Sequence, residues 1–168
     1  MTPRLAFAAL CGLSLATPAE AWEVATLKTL VPGATLTMLG GGPSRQEQVT
    51  VSCVVNNQSG AIQKFFVDVN FKAAPPADLA DVSFATSRMM TDFIGDYAPA
   101  PNRSPKVTAH GEQVPGRSRM FAWLNDLLAG GPLAVKVTIG KSAVSSFTVA
   151  ADADNAAVQQ FLAQCPDR

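Results

Sequence analysis

The chain has 168 residues, 48% of them hydrophobic, with thirteen basic and thirteen acidic side chains and a formal net charge of zero. That length suits one domain, and the even charge gives no overall electrostatic footprint for nucleic acid, which would need a clustered basic face. Beyond a short apolar stretch near the start, no run approaches the about 20 residues of a membrane span.

Residues 1–21 have the three parts of a secretory leader: Arg4 as a positive n-region, Leu5 to Ala16 as an apolar run, and Ala19-Glu20-Ala21 as a small-x-small cleavage site. Leu10 precedes Cys11 where a lipoprotein leader carries a small residue, which argues against lipid attachment. The expected mature protein is one β-rich domain over residues 22–168, periplasmic or secreted. Removing Arg4 and Glu20 with the leader takes away one charge of each sign and keeps the balance neutral.

Trp22-Glu23-Val24 opens this domain, followed by Leu27, Leu30 and Val31, and Pro32-Gly33 signals a turn. Ala34, Leu36 and Met38 alternate with Thr35 and Thr37 as a first strand, which Gly40-Gly41-Gly42-Pro43 is expected to end as a flexible hairpin loop. No Lys-Ser/Thr follows the glycines, so a phosphate loop is disfavoured. A strand over Gln48 to Val55 and its return over Gln63 to Lys72, joined by Asn56-Asn57-Gln58-Ser59-Gly60, form the clearest hairpin. Asn57 and Asn102 each begin an Asn-x-Ser sequon, with a turn role as the default.

After Ala73-Ala74-Pro75-Pro76 the pattern gives a helical turn from Leu79 and a strand through Val82 and Phe84, then an ambiguous stretch from Met89 to Tyr97. Ala98 to Arg119 reads as the longest irregular stretch, broken by Pro99, Pro101, Pro105 and Pro115, with room for a short strand at Val107 to Ala109. It carries Arg103, Lys106, Arg117 and Arg119 against Glu112, with the single histidine, His110, among them. Long loops of this kind are functional or mobile, so Arg103, Lys106, His110, Arg117 and Arg119 form the candidate contact loop.

Ser118 is placed to cap a helix from Arg119 to Ala129, stopped by Gly130-Gly131 and Pro132. Leu133 to Ile139 alternates as a strand, Gly140-Lys141 turns the chain, and Ser145 to Ala150 returns. A final helix, capped by Asp152 or Asp154, sets Val158, Phe161, Leu162 and Cys165 on one stripe. In the early strand Val49, Val51, Cys53 and Val55 share one face. Both mature thiols thus point into apolar interior, and in an oxidising compartment they are expected to bond. The expected architecture is an antiparallel β-sandwich or partly open barrel of six to eight strands with two short helices. The C-terminal helix is tied by Cys53–Cys165 to the early strand.

Residues for chemistry are sparse. A hydrolase or metal site would have to use His110 with Glu112 or Asp96, and no Gly-x-Ser-x-Gly elbow is present. Asp92 and Asp96 would share a face of a helix. Asp152, Asp154 and Asn155 resemble the opening of a calcium loop without its glycine and closing glutamate. Met38, Met89, Met90, Met120 and His110 are soft copper(I) ligand types in no recognisable spacing. No cofactor and no catalytic residue is assigned.

Trp22 at the mature start, Cys53 in an early strand, and a closing stretch resemble small exported bacterial proteins of the invasion-associated locus B and type VI secretion-associated periplasmic families. That closing stretch is Leu127-Leu128, Gly130, the Leu133 to Ile139 strand, Ser146-Phe147-Thr148-Val149 and the helix ending in Cys165. The resemblance covers the two ends of the mature chain and leaves Ala73 to Ser118 unmatched. It implies a disulfide-tied β-domain outside the cytoplasm and transfers no functional residue. The expected function is a non-enzymatic exported binding or accessory domain whose ligand the sequence does not name, with an envelope protein as one candidate partner and a hydrolase or metal-handling protein using His110 as the alternative. As a subunit of an envelope or secretion assembly it would expose a contiguous apolar patch beyond a few hundred Å².

Overall fold

The computed structural model describes residues 22–29, 31–72, 79–98, 105–110, 117–151 and 155–165, with only the backbone of Ala98, His110 and residues 117–120. Nine strands pair into one sheet: β1 (Trp22–Lys28), β2 (Ala34–Ser44), β3 (Glu47–Asn56), β4 (Ile62–Asn70), β5 (Leu79–Ala85), β6 (Met90–Ala98), β7 (Lys106–His110), β8 (Leu133–Ile139) and β9 (Ser142–Val149). Helix α1 (Arg117–Leu127) lies between β7 and β8, and α2 (Ala156–Gln164) follows β9. The strand order is β1-β2-β3-β4-β7-β6-β5-β8-β9, every pairing antiparallel. The sheet curls into a half-barrel, so that β9 at one end comes against β2 near the other.

Alternation assigns the two faces. Leu39, Val49, Val51, Cys53, Val67, Val69, Val82, Phe84, Val107, Val135, Val137 and Val149 point inward into one core. Both helices lie on this inner side. Phe121 of α1 stacks on Phe65 of β4 at 5.1 Å, and Trp123 meets Phe84 edge-on at 4.9 Å. Such ring pairs add about 0.5–1.5 kcal/mol each beyond the area they bury. Helix α2 buries Val158 and Phe161, and its last turn is held twice. Gln164 Oε1 accepts hydrogen bonds from Thr26 Oγ1 at 2.8 Å and Thr37 Oγ1 at 3.0 Å. The adjacent Cys165 is disulfide-bonded to Cys53 of β3 across a Cα–Cα distance of 6.3 Å.

Several sequence expectations need correction. The nine strands exceed the expected six to eight, because Trp22–Lys28 is a full strand and Met90–Ala98 resolves as another. The triple glycine does not end β2: Gly40 pairs with Thr50 and Gly41 with Val49. A β-carbon on Gly42 would lie 2.2 Å from the Glu47 carbonyl oxygen. These glycines therefore let β2 and β3 close tightly past a register shift between Gly41 and Ser44. The helical turn expected from Leu79 is absent, since β5 is extended from Leu79 onward. The stretch 98–119 is not one loop, since it contains the end of β6, all of β7 and the start of α1. Helix α1 begins at Arg117, so Ser118 lies inside it rather than capping it. The N-cap of α2 is Asn155, in left-handed conformation at φ 55°, in place of an aspartate. Its Nδ2 donates to the Leu128 carbonyl oxygen at 3.2 Å and so ties the start of α2 to the end of α1. Asp152 and Asp154 lie outside the described residues, as does the leader, 1–21.

Candidate functional site

Those residues of the expected contact loop that are described lie on two elements, β7 and α1. Lys106 opens β7, a strand between β4 and β6, and its Nζ lies 3.2 Å from Asp68 Oδ1. Thr108 donates to the same oxygen at 2.6 Å, so this lysine and carboxylate are engaged within the sheet. His110 ends β7 opposite Phe66 of β4. Asp96 lies opposite Thr108, two residues along β7 from the histidine. Arg117 and Arg119 are in the first turn of α1. Arg103, Glu112 and the Asn102 sequon fall outside the described residues. Asn57 sits in the exposed β3–β4 turn, its Oδ1 accepting from Thr35 Oγ1 at 2.7 Å.

The other candidates separate too. Asp92 and Asp96 lie on one exposed strand face, four residues and therefore about 13 Å apart. That exceeds the about 5–9.5 Å of a glycosidase carboxylate pair. Met38 and Met90 stand on β2 and β6, with β3, β4 and β7 between them in the sheet. Among the described residues no group of three or more His, Cys, Asp or Glu side chains is placed to hold a metal ion.

What the strands do bring together is on the outer face. In antiparallel pairs, opposed residues stand about 4.5–5.5 Å apart on the same side, so the register generates continuous rows. One row runs Leu27, Leu36, Val54, Lys64 across β1 to β4. The next runs Ala25, Met38, Ser52, Phe66 and reaches His110 on β7. A third, Glu23, Gly40, Thr50, Asp68, Thr108, is polar. The first two rows form an apolar surface on the side of the sheet opposite both helices. Leu27 is 50% exposed, whereas Leu36, Met38, Val54 and Phe66 are half-buried. Ser52, in the middle, is only 1% exposed, and its hydroxyl has no hydrogen-bond partner among the described residues.

An antiparallel sheet with one wet face normally alternates apolar-in, polar-out. Here β2, β3 and β4 are apolar on both faces around Leu36–Leu39, Val54–Val55 and Phe65–Val67. The signal was present in the sequence as runs that break alternation, Val54-Val55 and Phe65-Phe66-Val67. Single-strand reading does not reveal it, because only the register shows that the surplus residues are neighbours. A second outer zone, across β5 and β6, mixes the exposed Leu79, Met90 and Ile94 with Asp81, Asp92 and Asp96. It is amphipathic rather than apolar.

Among the described residues no helix is long and apolar enough to cross a membrane. No family model, no curated protein and no solved structure matches this chain.

Proposed function

We propose that this is a non-enzymatic binding or accessory domain acting outside the cytoplasm, where it docks on a protein partner through the outer face of β1–β4. The observation that carries the reading is the two-row apolar surface of Leu27, Leu36, Val54, Ala25, Met38 and Phe66 on a sheet whose helices both pack on the other side. Contiguous exposed apolar surface on a monomer marks an interaction site. The buried Cys53–Cys165 bond suits an oxidising compartment. The secretory leader read from residues 1–21, and the resemblance to exported disulfide-tied domains, point the same way. This surface is also what a subunit of an envelope assembly would expose.

Site-specific photocross-linking in the intact host tests the reading. A photoreactive side chain at Leu27 is expected to give an adduct of defined mass, and one at the exposed Lys141 of the β8–β9 turn none. Met38→Asp should abolish the Leu27 adduct while leaving the melting temperature within a few degrees of the parent. Equal labelling from both positions, or no adduct from Leu27, would refute it.

A further inference from the structure

We infer that the partner of this outer face is a second copy of the same chain, an inference that rests on the docking face proposed above. The argument comes from the charges that frame it. Glu23 stands at one corner of the three rows, on β1, and Lys64 at the diagonally opposite corner, on β4. Both side chains are exposed, both alternate onto the outer face, and neither forms an ion pair among the described residues. Three strand spacings and four residues of rise separate them, about 20 Å in the plane of the sheet.

The midpoint of that diagonal falls between Met38 and Ser52, in the middle of the apolar rows. A two-fold axis lying in the interface through this midpoint, perpendicular to the diagonal, carries Glu23 of one copy onto Lys64 of the other, and the reverse. The face is thus self-complementary in charge, as an isologous interface must be. The same axis passes through Leu27, which meets its own symmetry mate. It also brings the Phe66 ring over the Gly40–Thr50 pair of the second copy, where the glycine leaves room for an aromatic edge. Asp68 meets its own mate at the remaining corner, but there each carboxylate is already paired with Lys106 and hydrogen-bonded by Thr108. In projection the rows cover about 400 Å², half of the about 800 Å² per partner of a standard interface. The dimer is therefore expected to be weak and concentration-dependent.

Sedimentation of the purified protein from about 1 μM to about 1 mM, the range of weak association, tests this. The parent is expected to shift from monomer to dimer. Glu23→Lys alone, or Lys64→Glu alone, places like charges at both rim contacts and should raise the dissociation constant at least about tenfold. The double swap Glu23→Lys with Lys64→Glu restores both contacts and should recover the parent value. Both positions are exposed, so an unchanged melting curve shows that the fold is intact in each variant. A monomer throughout the range, a dimer indifferent to the single swaps, or a double swap that fails to restore it would overturn the proposal. If the protein stays monomeric while Leu27 still cross-links to a different protein in the host, the docking face stands and the second copy falls.

Discussion

Replacing both Cys53 and Cys165 with alanine should remove a large fraction of the stability of this domain. The bond spans a sequence separation of 112 residues. In the chain-entropy treatment, closing such a loop lowers the entropy of the unfolded chain by about 2.1 + 1.5R ln 112, or about 16 cal/mol/K, which is about 4.8 kcal/mol at 25 °C. Both sulfurs are fully buried in the core, so a small packing loss adds to this. Typical domains have only about 5–15 kcal/mol in total. For a domain of this size each kcal/mol moves the melting temperature by about 2–4 °C, so the variant should melt about 10–20 °C lower. Guanidinium titration of the double alanine variant, and of the parent with and without reductant, measures the effect. Because the cross-link acts on the unfolded state, the variant should also show a steeper denaturant dependence. A loss below about 2 kcal/mol would refute the loop-closure account. Two reactive thiols in the denatured, unreduced parent would refute the bond itself.

Glycines that share a residue type should differ sharply in cost. Gly42→Ala drives a β-carbon to 2.2 Å from the Glu47 carbonyl oxygen and 2.7 Å from Gln48 Cα. Backbone must move there, and at least about 3 kcal/mol should be lost in chemical denaturation, the upper end of overpacking costs. Gly33→Ala, at φ 77° with nothing within 4 Å, should lose only the about 1–2 kcal/mol of a left-handed residue. Thr91 is 4% exposed and its hydroxyl has no hydrogen-bond partner among the described residues. Thr91→Val removes a desolvated group at nearly constant shape, so it should be neutral or stabilising by up to about 1 kcal/mol. A clear loss in the same titration would mean that the hydroxyl is satisfied.

How much of this was legible in the sequence depended on whether one strand carried its own evidence. Strands β3, β4 and β8 each present a run of inward β-branched or aromatic residues bounded by turn chemistry, and they lie within a residue or two of their expected limits. The cysteine pairing followed from alternation in β3 and helical spacing in α2. Strand β1 was hidden because its inward positions turn polar after Val24, at Thr26 and Lys28, while Leu27 faces out. Strand β6 was hidden by Gly95, where an added β-carbon would meet Val107 Cγ1 at 2.4 Å. That glycine reads as a breaker until the neighbouring strand is known. The docking face is a property of register across four strands. No single stretch contains it, whereas the basic residues around His110 stand out because they are close together in sequence.

The position of β7 bears on how the chain reaches this state. Three units can form from near neighbours in sequence: the β1–β4 meander, the β5–β6–β7 meander and the β8–β9 hairpin. Two distant strand pairings join them, β5 to β8 and β4 to β7, the latter exemplified by Asp68 and Thr108 at a separation of 40 residues. Distant pairing is slow because chain ends must first be brought together. Five-residue β7 is the shortest strand among the described residues, and until it pairs with β4, one edge of each stays open. Its pairing with β4 joins the first four strands of the sheet order to the other five, so a substitution that loosens this short strand is expected to weaken the coupling of the two halves.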